Sequence, residues 1–223
     1  MFEWAYDLNG SKVPIVKPLP VPAATVVRQG EIVDFTPGTG VINLGADGVD
    51  FDGPAVGVAI NAHPANSGTV LKVSASPTAV YRHNCAEILT ATGGNATTFV
   101  VATLVPATNN LWVGGMLEVV TCAADPSMVG KRIPITASTG ATGTLTFAAQ
   151  PAAFAAGDTA RLCPGPLALR TTVWNLNATG TNVDWAQNTT TGESLVLVDV
   201  DPSNMSAYFM LRLHRFGNGP AAL

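Results

Sequence analysis

Charge is what this sequence has least of. Asp, Glu, Lys and Arg together make up 12 % of its 223 residues, about half of the ~25 % usual for soluble domains. The eleven Lys and Arg are scattered without a run, and the formal charge is −4, so the concentrated basic face that nucleic-acid binding needs is missing. Scarce charge fits two pictures. One is a β protein with a Thr, Asn and Ser surface; the other is a subunit whose surface is covered in an assembly, where charge is costly to bury.

Long apolar runs are also missing, and no stretch approaches the ~18 residues of a spanning helix. The opening MFEWAYDLNGSKVP has neither a basic start nor an apolar stretch, because Glu3 and Asp7 interrupt it, so it does not read as a secretory signal. The expectation is a chain made in a cytoplasm and not inserted into a membrane. There are three cysteines, Cys85, Cys122 and Cys163, with no CxxC pair. Zinc is therefore not expected, and three free, buried thiols are. A cysteine nucleophile would need a histidine, and His83 lies two residues from Cys85. The default for that pair is a solvated histidine beside a buried thiol.

What the sequence does have is alternation. In Pro54 to Val73, Val56, Val58 and Ile60 fall on one face of an extended chain, with Gly57 and Ala59 on the other. This is the strand period. The polar loop His63 to Gly68 leads to a second strand, Thr69 to Val73, giving a hairpin. Gly57 and Ala59 leave one side flat for close packing. The stretch Thr36 to Pro54, rich in Gly and Asp, lacks the Lys-Ser/Thr of a phosphate loop. Its Asp47, Asp50 and Asp52 miss the calcium-loop frame. No cofactor or metal is expected.

Residues 1–24 read as an extended arm. Pro14, Pro18, Pro20 and Pro22 break regular structure, and Phe2, Trp4 and Tyr6 alternate with Glu3 and Ala5. The arm would clamp a partner through these aromatics and Pro18 and Pro20; the competing reading is an ordinary edge strand. Short strands with turns between them follow at Phe99–Leu104, Met116–Cys122, Lys131–Thr136 and Gly143–Phe147. The segments Leu89–Ala102 and Ile135–Ala149 echo each other as strand, Gly-rich turn, Thr-rich strand, either as paired hairpins or by chance. Pro151–Leu162 could hold one helical turn but reads as a loop that closes the module and re-enters a strand at Gly157-Asp158, and Leu167 to Asn175 reads as a strand. The final hairpin runs from Leu195 to Leu213 around Asp201-Pro202-Ser203-Asn204.

The expected fold class is therefore all-β: a small β-barrel or sandwich domain (25–85 plus 164–223), a second β module inserted at 86–163, and the N-terminal arm. Catalytic pairs are thin. Asp199 with Asp201 read as turn residues, and Glu118 with Glu193 is the other conceivable pair. Trp112, Trp174 and Trp185 would stack on sugar rings if exposed, or anchor the core.

The stretch from Val26 through AVGVAINAHPANSGTVLKV resembles the small β domain of tailed-bacteriophage capsid decoration (cement) proteins. It does so through Gly57-Val58-Ala59, Ala62, Gly68 and Val70. The segment VGKRIPITASTGATGTLTFAAQPAAFAAGDTARL is similar to β modules of phage head and tail appendages. This resemblance implies a virion structural protein, not an enzyme. It would sit on the outer capsid surface as a homotrimer bound to the major capsid protein. The alternative is a receptor- or carbohydrate-binding module of a tail fibre or spike.

Overall fold

The computed structural model describes residues 1–8, 10, 13–36, 40–43, 57–65, 70–102, 104, 109–169, 173–176, 183–185, 195–211, 213–214 and 217–218. The protein is all-β, and no helix of seven or more residues occurs among the described residues. The chain opens with β1 (Phe2–Asp7), β2 (Val16–Pro20), β3 (Ile32–Thr36), β4 (Gly40–Asn43), β5 (Gly57–Ala59), β6 (Val70–Ser74) and β7 (Ala79–His83). Next come β8 (Ile88–Thr90), β9 (Gly93–Asn95), β10 (Thr98–Val100), β11 (Met116–Thr121), β12 (Arg132–Pro134), β13 (Ala137–Thr139), β14 (Thr144–Thr146) and β15 (Thr159–Cys163). The last are β16 (Val173–Leu176), β17 (Val183–Asp184), β18 (Leu195–Asp201), β19 (Ser206–Leu211), β20 (Leu213–His214) and β21 (Gly217–Asn218).

The largest sheet has the order β1-β7-β19-β18-β16-β17, so both ends of the chain meet in it. Its register places Trp4, Tyr81, Phe209 and Leu197 in one row across four strands. Tyr81, Phe209 and Leu197 are buried and Trp4 packs against them. The neighbouring row, Glu3, Arg82, Tyr208 and Asp199, carries the polar side chains of the opposite face, as the period of two requires.

A second sheet, β2-β6-β5-β3-β4, is built only from residues 16–74. Its end strands β2 and β4 approach within 8 Å between Cα atoms, so it curls towards a small barrel, with no β2–β4 ladder among the described residues. The interior holds a separate cluster of Val21, Val27, Val33, Ala59, Leu71, Val73 and Ala75, with Leu19 against it. On the other face of this sheet Ile32 and Val58 join the main core.

Two four-stranded sheets, β12-β11-β15-β8 and β13-β14-β10-β9, use only strands between 88 and 163. The echoing segments lie side by side here: hairpins β9–β10 and β13–β14 pair through β10 and β14, with Phe99 opposite Leu145. This stretch has no core of its own. Phe99, Leu117, Leu145 and Trp112 share one buried cluster with Phe2, Tyr81, Trp174 and Phe209. Trp112 meets Trp174 and Trp185 at ring-centroid distances of 5.6 and 5.7 Å, and the latter two cross near-perpendicularly at 4.9 Å. Such edge-to-face pairs add about 0.5–1.5 kcal/mol each beyond area burial.

Several expectations change. Residues 1–24 are not a free arm: β1 pairs with β7 along its length and β2 with β6. The region before β16 is a 3-10 turn at Pro166–Ala168 rather than continuous strand, because Pro166 presets the first helical position. Residues 151–158 form a loop that leads into β15, as their sequence suggests.

Candidate interface

Of the three arm aromatics, only Tyr6 faces solvent. Phe2 is 1 % exposed, with its ring 5.0 Å from His83 and edge-on to Phe209. Trp4 is half-buried against the same core. A bulge between Trp4 and Tyr6 shifts the register. The inward phase passes to Asp7, which is buried and accepts a 2.5 Å hydrogen bond from the Thr78 hydroxyl. Tyr6 turns outward at 38 % exposure and lies 6.4 Å from Tyr208. Partial burial, with Asp199 and Tyr208 nearby, raises the pKa of its hydroxyl above the ordinary tyrosine value. On the same face Arg82 and Glu3 form a 2.7 Å ion pair, both about half exposed. The clamp assigned to Phe2 and Trp4 is therefore overturned: both rings are committed to their own chain's core.

Pro18 and Pro20 are exposed, but in a paired strand. Ala75 N–H donates to Ile15 C=O at 2.9 Å. In an antiparallel ladder this makes Ile15, Lys17 and Leu19 the residues whose backbone groups face β6. Val16, Pro18 and Pro20 turn theirs to the outer edge, where the two prolines offer no N–H. Of these three outward-facing residues only Val16 has an N–H to offer the seam towards β4, which disfavours lacing the barrel shut there. Beside it lies a cleft of about 480 Å³ lined by Ile15, Lys17, Pro18, Leu19 and Ala75. Around it several apolar side chains are exposed, Val13 at 67 %, Val70 at 55 %, Ile15 and Val16, with the exposed Lys17 and Lys72 among them.

Gly57 and Ala59 are both buried in the barrel wall. A Cβ on Gly57 would stand 1.8 Å from the Ser74 carbonyl oxygen, so the two backbones could not approach this closely around any other residue. Ala59 faces Val73 in the register and belongs to the barrel interior. Both residues serve packing within the chain. The hairpin pairing reaches as far as its pattern implies, since Ile60 N–H still reaches Lys72 C=O at 2.9 Å. Val56, Ser67 and Gly68 lie outside the described residues, as do Asp47, Asp50 and Asp52.

His63, which the polar loop HPANSG would leave exposed, is buried. Its backbone forms a two-way bridge with Val27 (2.8 and 3.0 Å), and its Nδ1 sits 2.9 Å from Thr25 C=O. His83, expected to be solvated, is buried instead, and its Nδ1 accepts the Cys85 N–H at 3.1 Å, so that nitrogen is engaged as an acceptor from the backbone. Asp201 caps the turn of the last hairpin, accepting from the Ser203 hydroxyl (2.6 Å) and the Asn204 side chain (2.7 Å). These bonds, Ser203 first, lower its pKa. Glu118 bridges Arg132 (2.9 Å) and Arg161 (3.1 Å), and Glu193 lies outside the described residues. Trp112, Trp174 and Trp185 are all buried and present no stacking surface.

All three cysteines are buried and unbridged. Among the described residues no three His, Cys, Asp or Glu side chains gather as a metal site would need, and no helix is long and apolar enough to cross a membrane. No protein-family model, curated protein or solved structure matches the chain at a significant level.

Proposed function

We propose that this protein is a virion structural protein, a decoration or cement subunit that binds the outside of a tailed-bacteriophage capsid as a homotrimer. The observation that carries the reading is the apolar strip beside β2. Val13, Ile15, Val16 and Val70 stand exposed around β2 and β6, with the exposed Lys17 and Lys72 among them, in a chain whose charge is half the usual amount. Several large apolar side chains exposed near one another mark a contact site, and charge depletion is the compositional mark of an interface core. The resemblance of the Gly57-Val58-Ala59 hairpin to cement proteins supplies the class of partner, the major capsid protein.

In this reading the strip is buried between capsomers and ties them together. Each contact need only be modest, because a shell presents many copies and strain is shared among them. The proline-bearing edge offers few donors, so contact there is made through side chains rather than by adding a strand. The tail-fibre reading relied on exposed indoles, and none is exposed.

The test is cosedimentation of the purified protein with expanded, genome-free capsids of the phage that encodes it. Saturable binding in multiples of three per capsomer junction is expected. Replacing Val13 and Val16 with Asp should weaken it tenfold or more while leaving the folded monomer's circular dichroism unchanged. An absence of binding at micromolar protein contradicts the proposal.

A further inference from the structure

The chain leaves the large sheet after β7 and returns to it after β15, and a cysteine stands at each point. Cys85 follows β7 in the left-handed region, φ 44°, unusual for a residue with a side chain. Its N–H is held by His83. Cys163 ends β15, and its thiol donates to the Ser206 carbonyl at 3.5 Å. Ser206 precedes Ala207, which is the register partner of His83. The two cysteines thus meet at one corner, and both belong to the same buried cluster. Cys122 belongs elsewhere. Met116 faces Cys163 across the ladder, and Cys122 lies further along the same strand direction, roughly 20 Å away at ~3.3 Å per residue. There it lines a separate cleft with Pro126, Val129 and Asp158.

We infer that Cys85 and Cys163 are an oxidisable pair, and that a disulfide between them staples the neck of the segment 85–163. The oxidant is a small-molecule disulfide such as oxidised glutathione. One cysteine thiolate attacks it, forming a mixed disulfide and releasing one glutathione thiol. The second cysteine then attacks the protein-side sulfur, releasing the second glutathione thiol. Two electrons pass from the cysteine pair to glutathione, and the two cysteine protons end on its two thiols. Burial, together with the neighbouring Cys163, pushes the Cys85 thiol well up. The exchange is therefore slow in the closed protein and fast during refolding or local opening. Because the bond would close a long loop, its effect on the unfolded chain is large. This inference stands on the meeting of the two cysteines at one corner of the fold and is independent of the capsid role.

The experiment is refolding of the full chain in a glutathione redox buffer, followed by acid quench, alkylation and peptide mapping by mass spectrometry. The expected product has lost about 2 Da, carries a Cys85–Cys163 cross-linked peptide and retains one alkylated thiol at Cys122. The Cys122→Ser variant should give the same bridge. The bridged form should melt roughly 5–10 °C above the reduced form, a gain reversed by dithiothreitol. Three free thiols after refolding, stable glutathione adducts, a bridge involving Cys122, or a bridge that lowers the melting temperature would each overturn the inference.

Discussion

Single residues in this protein are set by backbone proximity more than by side-chain chemistry. Gly57 is the clearest case, with the Ser74 carbonyl where a Cβ would be. Gly57→Ala should cost about 3 kcal/mol or more, because the obstacle is backbone and cannot rotate away. Gly93→Ala, which meets nothing within 4 Å, should change stability by less than about 1 kcal/mol. Chemical denaturation of the two variants checks this, and equal losses would contradict it. Glu31 makes a different prediction. It is buried, and burial raises its carboxyl pKa against the opposing Arg28 N–H bond of 2.7 Å. Below the unfolded glutamate pKa of about 4.3 both states are protonated. Above it the folded state alone keeps the proton, so this group's contribution to stability falls as pH rises through the folded pKa. Glu31→Gln, which preserves an acceptor for Arg28, should therefore gain melting temperature relative to wild type on going from pH 4 to pH 7. A difference that does not vary with pH would refute the assignment.

At the scale of elements, the first strand carries the main revision. Alternating aromatics at Phe2, Trp4 and Tyr6 look the same whether the strand is free or docked. The partner that decides, β7, is about 80 residues away in the chain. The bulge that turns Tyr6 outward leaves no mark on the sequence. Pro18 and Pro20 suggested an unpaired segment, yet a sheet tolerates proline wherever the missing N–H points off the edge. Local signals were legible: Leu117 and Val119 alternate as they pack, Asp201-Pro202 makes its turn, and the two echoing segments form adjacent hairpins. His63 was not, because its burial comes from a bridge to Val27. Since Phe2 lies in the core, Phe2→Ala should cost about 3–5 kcal/mol. Deleting residues 1–22, which removes β1 and β2, should leave a chain that melts non-cooperatively or aggregates. A cooperative transition near the wild-type temperature in calorimetry would restore the free-arm picture.

Across the whole molecule, one buried cluster unites the large sheet with the segment 88–163, and a second fills the small barrel. The Trp112, Trp174 and Trp185 contact is the joint between the first two. Candidate reactive groups are spent on the fold: His83 on the Cys85 backbone, Asp201 on a turn, Glu118 on two arginines. The capsid proposal rests on the exposed apolar residues beside β2. Cryo-electron microscopy of expanded capsids saturated with the protein tests that claim most directly. The account predicts three copies at local three-fold positions with Val13, Val16 and Val70 against the shell. Bare capsids, or bound copies with that strip facing solvent, would contradict it.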